Sequence, residues 1–220
     1  VSRLSLIDRG MVYAIAHIRG GMEKGKKWYE NGKKKNKLNS FKDFISCAEF
    51  LKKENISENI TIHGGSAGGL LIGASINISP DTFHCAVAEV PFVDVLNTIL
   101  DDTLPLTPPE WEEWGNPIKN KSDFDYIGSY SPYDNIKEQN YPTILATSGL
   151  TDPRVTYWEA TKWIAKLRSK KTNDNPIFLK TYTEAGHGGM AGRYNQIKET
   201  AFIYAFILWR NNLIKRSFSS

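Results

Sequence analysis

The run Ile60-Thr61-Ile62-His63-Gly64-Gly65-Ser66-Ala67-Gly68-Gly69 constrains the fold more tightly than any other stretch of this sequence. Ile60 to Ile62 is short, apolar and β-branched, which predicts a buried strand. Leu70-Leu71-Ile72-Gly73-Ala74 predicts a helix, placed at Ala67 to Ile76. Between them lies Gly64-x-Ser66-x-Gly68, the pattern of a sharp strand-to-helix turn that pushes a serine outward. Glycine on both sides of Ser66 fits a turn so crowded that a Cβ would clash. The helix start offers free N–H groups and a positive dipole end, so the Ala67 amide is the candidate donor to an oxyanion.

The remaining strands read as Met11 to Ile18, Cys85 to Val90, Thr143 to Ser148 and Ile177 to Tyr182. Helical spacing of Phe44, Cys47, Ala48 and Leu51 predicts a helix capped by Ser40 with Asp43 at its third position. Val155 to Leu167 reads as a helix with Trp158, Ala160, Trp163, Ile164 and Leu167 inward. Gln196 to Leu213 is apolar almost all round and predicts a buried closing helix. Pro105, Pro108, Pro109 and Pro117 make Pro91 to Ile127 an irregular excursion with short helical turns. Strands alternating with helices predict an α/β fold, a mostly parallel sheet flanked by helices, in one domain over residues 1–220. Ligands of such sheets bind beyond the carboxyl ends of the strands.

That rule narrows the partners of Ser66. In the α/β-hydrolase arrangement the chain order is Ser, acid, His. His17 and His63 precede Ser66 and read as core residues in strands; His84 opens the next strand. His187 remains, in Glu184-Ala185-Gly186-His187-Gly188-Gly189 directly after a strand, where glycines make a permissive, mobile loop. Asp152 lies just past Thr143 to Ser148, placed to accept the imidazole N–H; Asp134 and Asp174 lie before strands, at the wrong end.

Charge is distributed unevenly. The formal net charge is +4, yet Glu54 to Ile118 holds ten acids and no Lys or Arg. Lys24, Lys26, Lys27, Lys33, Lys34, Lys35 and Lys37 crowd one segment. Without interleaved aromatics or a nucleic-acid motif, that run predicts a solvated loop and no nucleic-acid partner. Cys47 and Cys85 read as buried free thiols of a reducing, cytoplasmic setting. No signal-peptide pattern opens the chain, and its longest apolar run, Ala201 to Trp209, is too short to span a bilayer. Histidines and cysteines lack metal-ligand spacing, and no glycine-rich phosphate loop follows a strand, so no metal or nucleotide cofactor is expected.

Several segments resemble one family. Gly64 to Gly69, Val90-Pro91-Phe92-Val93-Asp94-Val95, Glu112-Glu113-Trp114-Gly115-Asn116-Pro117 and Ser131-Pro132-Tyr133-Asp134-Asn135 look like the oligopeptidase B branch of the prolyl oligopeptidase family. Ser2 to Gly10 and His17 to Gly21 match as well, so the resemblance runs over essentially the whole chain. It implies a serine peptidase that cuts short peptides after Lys or Arg, with a triad at Ser66, Asp152 and His187. It also implies a P1 pocket with a carboxylate at Glu110 beside the aromatic Phe92, a second acid at Glu112, and Arg154 binding a substrate carbonyl. The family carries an N-terminal β-propeller, and a tyrosine oxyanion donor, that match nothing in these residues. The chain is therefore expected to be the catalytic domain of a longer enzyme, alternatively an esterase or exopeptidase on the same scaffold, or a truncated domain without activity of its own.

Overall fold

The computed structural model describes residues 2–214. Nine α-helices and four strands alternate along them: α1 Leu4–Ile7, α2 Lys26–Glu30, α3 Leu38–Lys53, β1 Thr61–Gly65, α4 Ala67–Ile78, β2 Cys85–Glu89, α5 Val95–Leu100, α6 Thr107–Trp114, α7 Lys121–Gly128, β3 Thr143–Gly149, α8 Tyr157–Lys170, β4 Ile177–Tyr182 and α9 Arg193–Arg210. The strands pair in parallel in chain order β1-β2-β3-β4. Parallel pairing requires a crossover between neighbours, and α4 and α8 supply two of them.

Both faces of the sheet are covered, which explains the near-continuous apolar strands. Ile62, Ala86, Ala88, Ile144, Ala146 and Ile177 pack with Ile72 and Ile76 of α4, Ile45 of α3 and Trp163 of α8. The alternate residues Cys85, Val87 and Leu145 face Leu6 of α1 and Ile203, Phe206 and Ile207 of α9. A third cluster joins Phe41, Leu70, Phe92, Ile99, Trp114 and Tyr130, seating α5 to α7 over α4. The excursion after β2 is thus three short helices rather than largely irregular. Pro108 and Pro109 sit in the first turn of α6, where a missing N–H costs nothing.

Several expectations are corrected. Met11 to Ile18 forms no strand, with Val12, Tyr13 and Ile15 exposed, because no strand lies hydrogen-bonded beside it among the described residues. The helix predicted to start at Ser40 begins at Leu38, so Ser40 is buried within it and donates to the Arg19 carbonyl, while Asp43 pairs with Arg19. Its inner face is Phe41, Ile45 and Ala48, with the expected Phe44 and Leu51 packed partly buried beside them, and Cys47 is exposed and free. Trp158 points outward and Glu159 takes the buried place. The closing helix buries only one side; Tyr194, Ile197, Phe202 and Trp209 are exposed. None of the described helices is long and apolar enough to cross a membrane.

β1 is an edge strand, and the unpaired segment 11–18 adds exposed apolar residues. Unpaired edges template association. The 220-residue chain on its own should therefore sediment as concentration-dependent oligomers, and the double substitution Val12→Lys, Ile15→Lys should shift it toward monomer. A parent chain that stays monomeric across the concentration range would refute this.

Candidate active site

Ser66 ends the turn between β1 and α4 with φ 54° and ψ −121°, a conformation that L-residues seldom adopt. The crowding expected on both sides of it holds at Gly64, where a Cβ would lie 2.5 Å from the Gly68 carbonyl oxygen. It does not hold at Gly68, where a Cβ would meet open space; the second crowded glycine is Gly69, packed on Pro91. The turn is tied to its neighbours by three bonds. Ser66 N donates to Glu89 O at 2.9 Å, Gly69 N to Ser66 O at 2.8 Å, and Phe92 N to Ser66 O at 3.0 Å. The Ala67 amide opens α4 beside Ser66 and has no hydrogen-bond acceptor among the described residues.

Asp152 and His187 meet. His187 Nδ1 lies 2.8 Å from Asp152 Oδ2, with the Asp152 side chain fully buried. The other carboxylate oxygen accepts Arg154 N at 2.8 Å and Val155 N at 3.0 Å. Both oxygens of the carboxylate are thus used, and two backbone amides orient it besides the imidazole. The two loops are stitched together. Thr151 donates through both N and Oγ1 to the Ala185 carbonyl, and a Cβ at Gly149 would overlap that same oxygen. Gly189 adopts φ 82°, and Met190 N donates to Glu199, which fastens the segment expected to be mobile.

Ser66 and His187 line one cleft of about 330 Å³ at the carboxyl ends of the strands, with Glu89, Thr147, Tyr182 and Glu199. No hydrogen bond joins Ser66 Oγ to His187 among the described residues. The other histidines are not core residues. His17 is exposed opposite Glu23, and His63 is partly exposed with Nε2 2.5 Å from Glu89 Oε1. His84 Nε2 contacts the Arg210 carbonyl at 3.0 Å.

Phe92, Glu110 and Glu112 lie on the excursion after β2, joined to Ser66 through the Phe92 amide; none of the three lines the cleft of Ser66 and His187. Phe92 is buried with its ring 5.5 Å from that of Trp114, and Trp114 Nε1 donates to Glu110 at 2.8 Å. The lysine segment is solvated as its composition predicts at Lys24, Lys26 and Lys27, but within residues 33–37 it pairs with acids instead. Lys34 pairs with Glu112 at 2.9 Å, Lys37 with Glu113 at 2.7 Å and Lys35 with Asp123 at 3.1 Å, while Tyr29 also donates to Glu113. Lys37 is buried with its ammonium 4.6 Å from the Trp114 ring centre. Burial lowers its pKa, and Glu113 opposes that shift. Among the described residues, Glu110 is therefore the acid of α6 that no cation neutralises. Arg154 is exposed, and its guanidinium makes no ion pair among the described residues.

A sequence profile described as the prolyl oligopeptidase family matches residues 2–212. The chain belongs to this family. It is 48% identical over 210 residues to dipeptidyl aminopeptidase BI of Pseudoxanthomonas mexicana, covering 94% of this chain and 29% of that protein. Protease 2 of Moraxella lacunata is 49% identical over 208 residues, with 94% and 30% covered. Oligopeptidase B from Leishmania major superposes with a TM-score of 0.94 at 48% identity, over 98% of this chain and 30% of that one. Oligopeptidase B from Trypanosoma brucei, solved with covalently bound antipain, gives 0.93 at 50% identity over 96% and 30%. The chain thus spans about 30% of the length of these relatives, and the fold is that of the family's α/β-hydrolase domain.

One buried group near the site escaped the sequence reading. Glu159 is 0% exposed, and burial pushes its carboxyl up to about 7, against the opposing hydrogen bonds from Asp94, Thr98 and Val93. Its signal was available: Glu159, Trp163 and Leu167 share one helical stripe, so an acid stands among inward residues. Since the folded state holds this proton more tightly than the unfolded value of 4.5, stability falls as pH rises from there through about 7. Glu159→Gln should flatten unfolding free energy against pH in that window, removing a loss on the order of 3 kcal/mol. Denaturant titrations across the window check this, and an unchanged slope in the variant would contradict it.

Proposed function

We propose that this chain is the catalytic domain of a longer serine endopeptidase that hydrolyses short peptides on the carboxyl side of Lys or Arg. The observation that carries the reading is the Asp152–His187 hydrogen bond at the edge of the cleft that also holds Ser66. In this mechanism Ser66 Oγ attacks the scissile carbonyl while His187 takes its proton. The imidazolium, steadied by Asp152, returns that proton to the leaving amine, and water then hydrolyses the acyl-enzyme by the same route. The Ala67 N–H at the start of α4 donates to the oxyanion. The family resemblance assigns the second donor to a tyrosine outside this chain, and gating of the cleft to a β-propeller domain. Neither free cysteine is disulfide-bonded, which fits a reducing compartment such as the cytoplasm.

Specificity for a cationic P1 side chain rests on Glu110. Phe92 and Trp114 give an apolar wall for the stem of Lys or Arg, and the Glu110 carboxylate gives the charge at its end. In this reading Glu112, exposed and held by Lys34, is the rim acid, and the family resemblance gives the exposed Arg154 the part of meeting a substrate carbonyl. An exopeptidase is the second reading, since a relative 48% identical is named a dipeptidyl aminopeptidase. Blocking the substrate's N-terminus separates the two: an endopeptidase keeps cutting, whereas an exopeptidase stops.

In the full-length enzyme, Ser66→Ala should lower turnover by roughly 10³-fold or more, leaving what binding and oxyanion stabilisation supply. Near-normal turnover would remove Ser66 from the mechanism. Losing one partner of a buried charge pair costs on the order of 2–5 kcal/mol. Glu110→Gln should accordingly reduce kcat/KM for an Arg peptide by roughly 30-fold or more, and much less for the matching norleucine peptide. Equal losses on both would make Glu110 a structural acid and end its assignment as the charge reader.

A further inference from the structure

The loop after β2 carries Phe92 and is held at two places. At its start Val90 adopts φ 39°, strained for a β-branched residue, and Phe92 N bonds to Ser66 O. The next two amides turn the other way: Val93 N and Asp94 N each donate to Glu159 Oε2 at 2.9 Å. The second oxygen, Oε1, accepts the Thr98 hydroxyl at 2.7 Å. Glu159 stands in the first turn of α8, the helix entered through the Asp152 loop. Lys162 on the same helix pairs with the buried Asp94 at 2.7 Å, so the like charge next to Glu159 is itself neutralised. No cation pairs with Glu159 among the described residues. All three of its hydrogen bonds go to the segment 93–98, and a buried acid without a cation does not stabilise a fold for its own sake.

We propose that Glu159 is a positioning residue for the P1 pocket, holding Phe92 in register between the Ser66 turn and α8 by accepting the amides of Val93 and Asp94. This rests on the reading above that Phe92, Trp114 and Glu110 receive the P1 side chain. Phe92 is fixed on one side by its own amide and on the other by the residues that follow it. Release of the second anchor lets the ring slide along Trp114 and changes the distance from the pocket to Ser66. Misplacement of about 1 Å in a binding group costs up to about 10² in rate. Chemistry at Ser66 itself does not pass through Glu159.

The test uses the full-length enzyme with Glu159→Ala and Glu159→Gln, an Arg-P1 peptide, its norleucine counterpart, and a small uncharged fluorophosphonate that acylates Ser66. Glu159→Ala should raise KM for the Arg and norleucine peptides alike by roughly 10-fold, since both stems lie on the Phe92 wall, with fluorophosphonate labelling within about 3-fold of the parent. Glu159→Gln, whose amide oxygen can accept both N–H groups, should restore KM to within about 3-fold. Equal damage to both peptides and to labelling, no change at all, or a Gln variant as impaired as Ala would each overturn the role. Where Glu159→Ala does not fold, Thr98→Val removes one of the same hydrogen bonds and should raise KM for both peptides with labelling again spared; labelling lost to the same degree overturns the role there too. Failure of the underlying reading looks different: the parent enzyme itself would not distinguish Arg from norleucine, and the pocket would be gone together with the role of Glu159.

Discussion

The close approach of backbone to backbone at the Ser66 turn is the constraint from which the rest of the site follows. The chain leaves β1 and re-enters as α4 within so short a space that a side chain at Gly64 would meet the Gly68 carbonyl. Ser66 is left with a positive φ, a cost of order 1–3 kcal/mol that surrounding contacts must offset. They do so through β2: Glu89 O accepts the Ser66 amide, and the Ser66 carbonyl accepts the amide of Phe92. The same bonds that hold the strained serine therefore also set the aromatic wall of the proposed P1 pocket. Beyond them, β3 and β4 end at Gly149 and Tyr182, and the loops that follow bring Asp152 to His187.

Charge follows a second logic. Ten acids without a base between Glu54 and Ile118 look in sequence like a surface field. Folding brings the lysines of the 33–37 segment across to α6 and α7, where they pair with Glu112, Glu113 and Asp123. Exposed pairs of this kind contribute little to stability, and the Lys34–Glu112 pair is of that kind. Their effect is selective. They neutralise the neighbours of Glu110 and leave that one carboxylate beside Phe92 and Trp114. Lys37 is different, since it is buried against the ring of Trp114 and backs the wall from behind.

The four parallel strands, the turn at Ser66 and the strand-end positions of Asp152 and His187 were legible because each is a local signal. Short β-branched runs, a glycine-flanked serine and residues just past strand ends need no knowledge of packing. The misread elements depend on neighbours. Met11 to Ile18 has a strand's composition but no hydrogen-bonded partner strand among the described residues, so Val12, Tyr13 and Ile15 are exposed. Ser40 and Asp43 have the spacing of a helix start, yet Arg19 and Gly20 dock on them, so they serve a tertiary contact. Cys47 sits one step off the inner stripe of α3, a phase that only the packing of Phe41 and Ile45 decides. Glu159 was hidden by the habit of placing acids outside, although its spacing from Trp163 and Leu167 marked it as inward.

The account stands on Ser66 being the residue that forms the acyl-enzyme. Intact-mass analysis of the folded full-length enzyme after reaction with a fluorophosphonate, followed by tryptic fragmentation, measures this directly. Because no Lys or Arg lies between Glu54 and Ile118, Ser66 falls in a single tryptic peptide covering residues 54–119. One adduct per chain, located at Ser66, is the expected result. An adduct on any other residue, or none on a folded enzyme, would contradict the account.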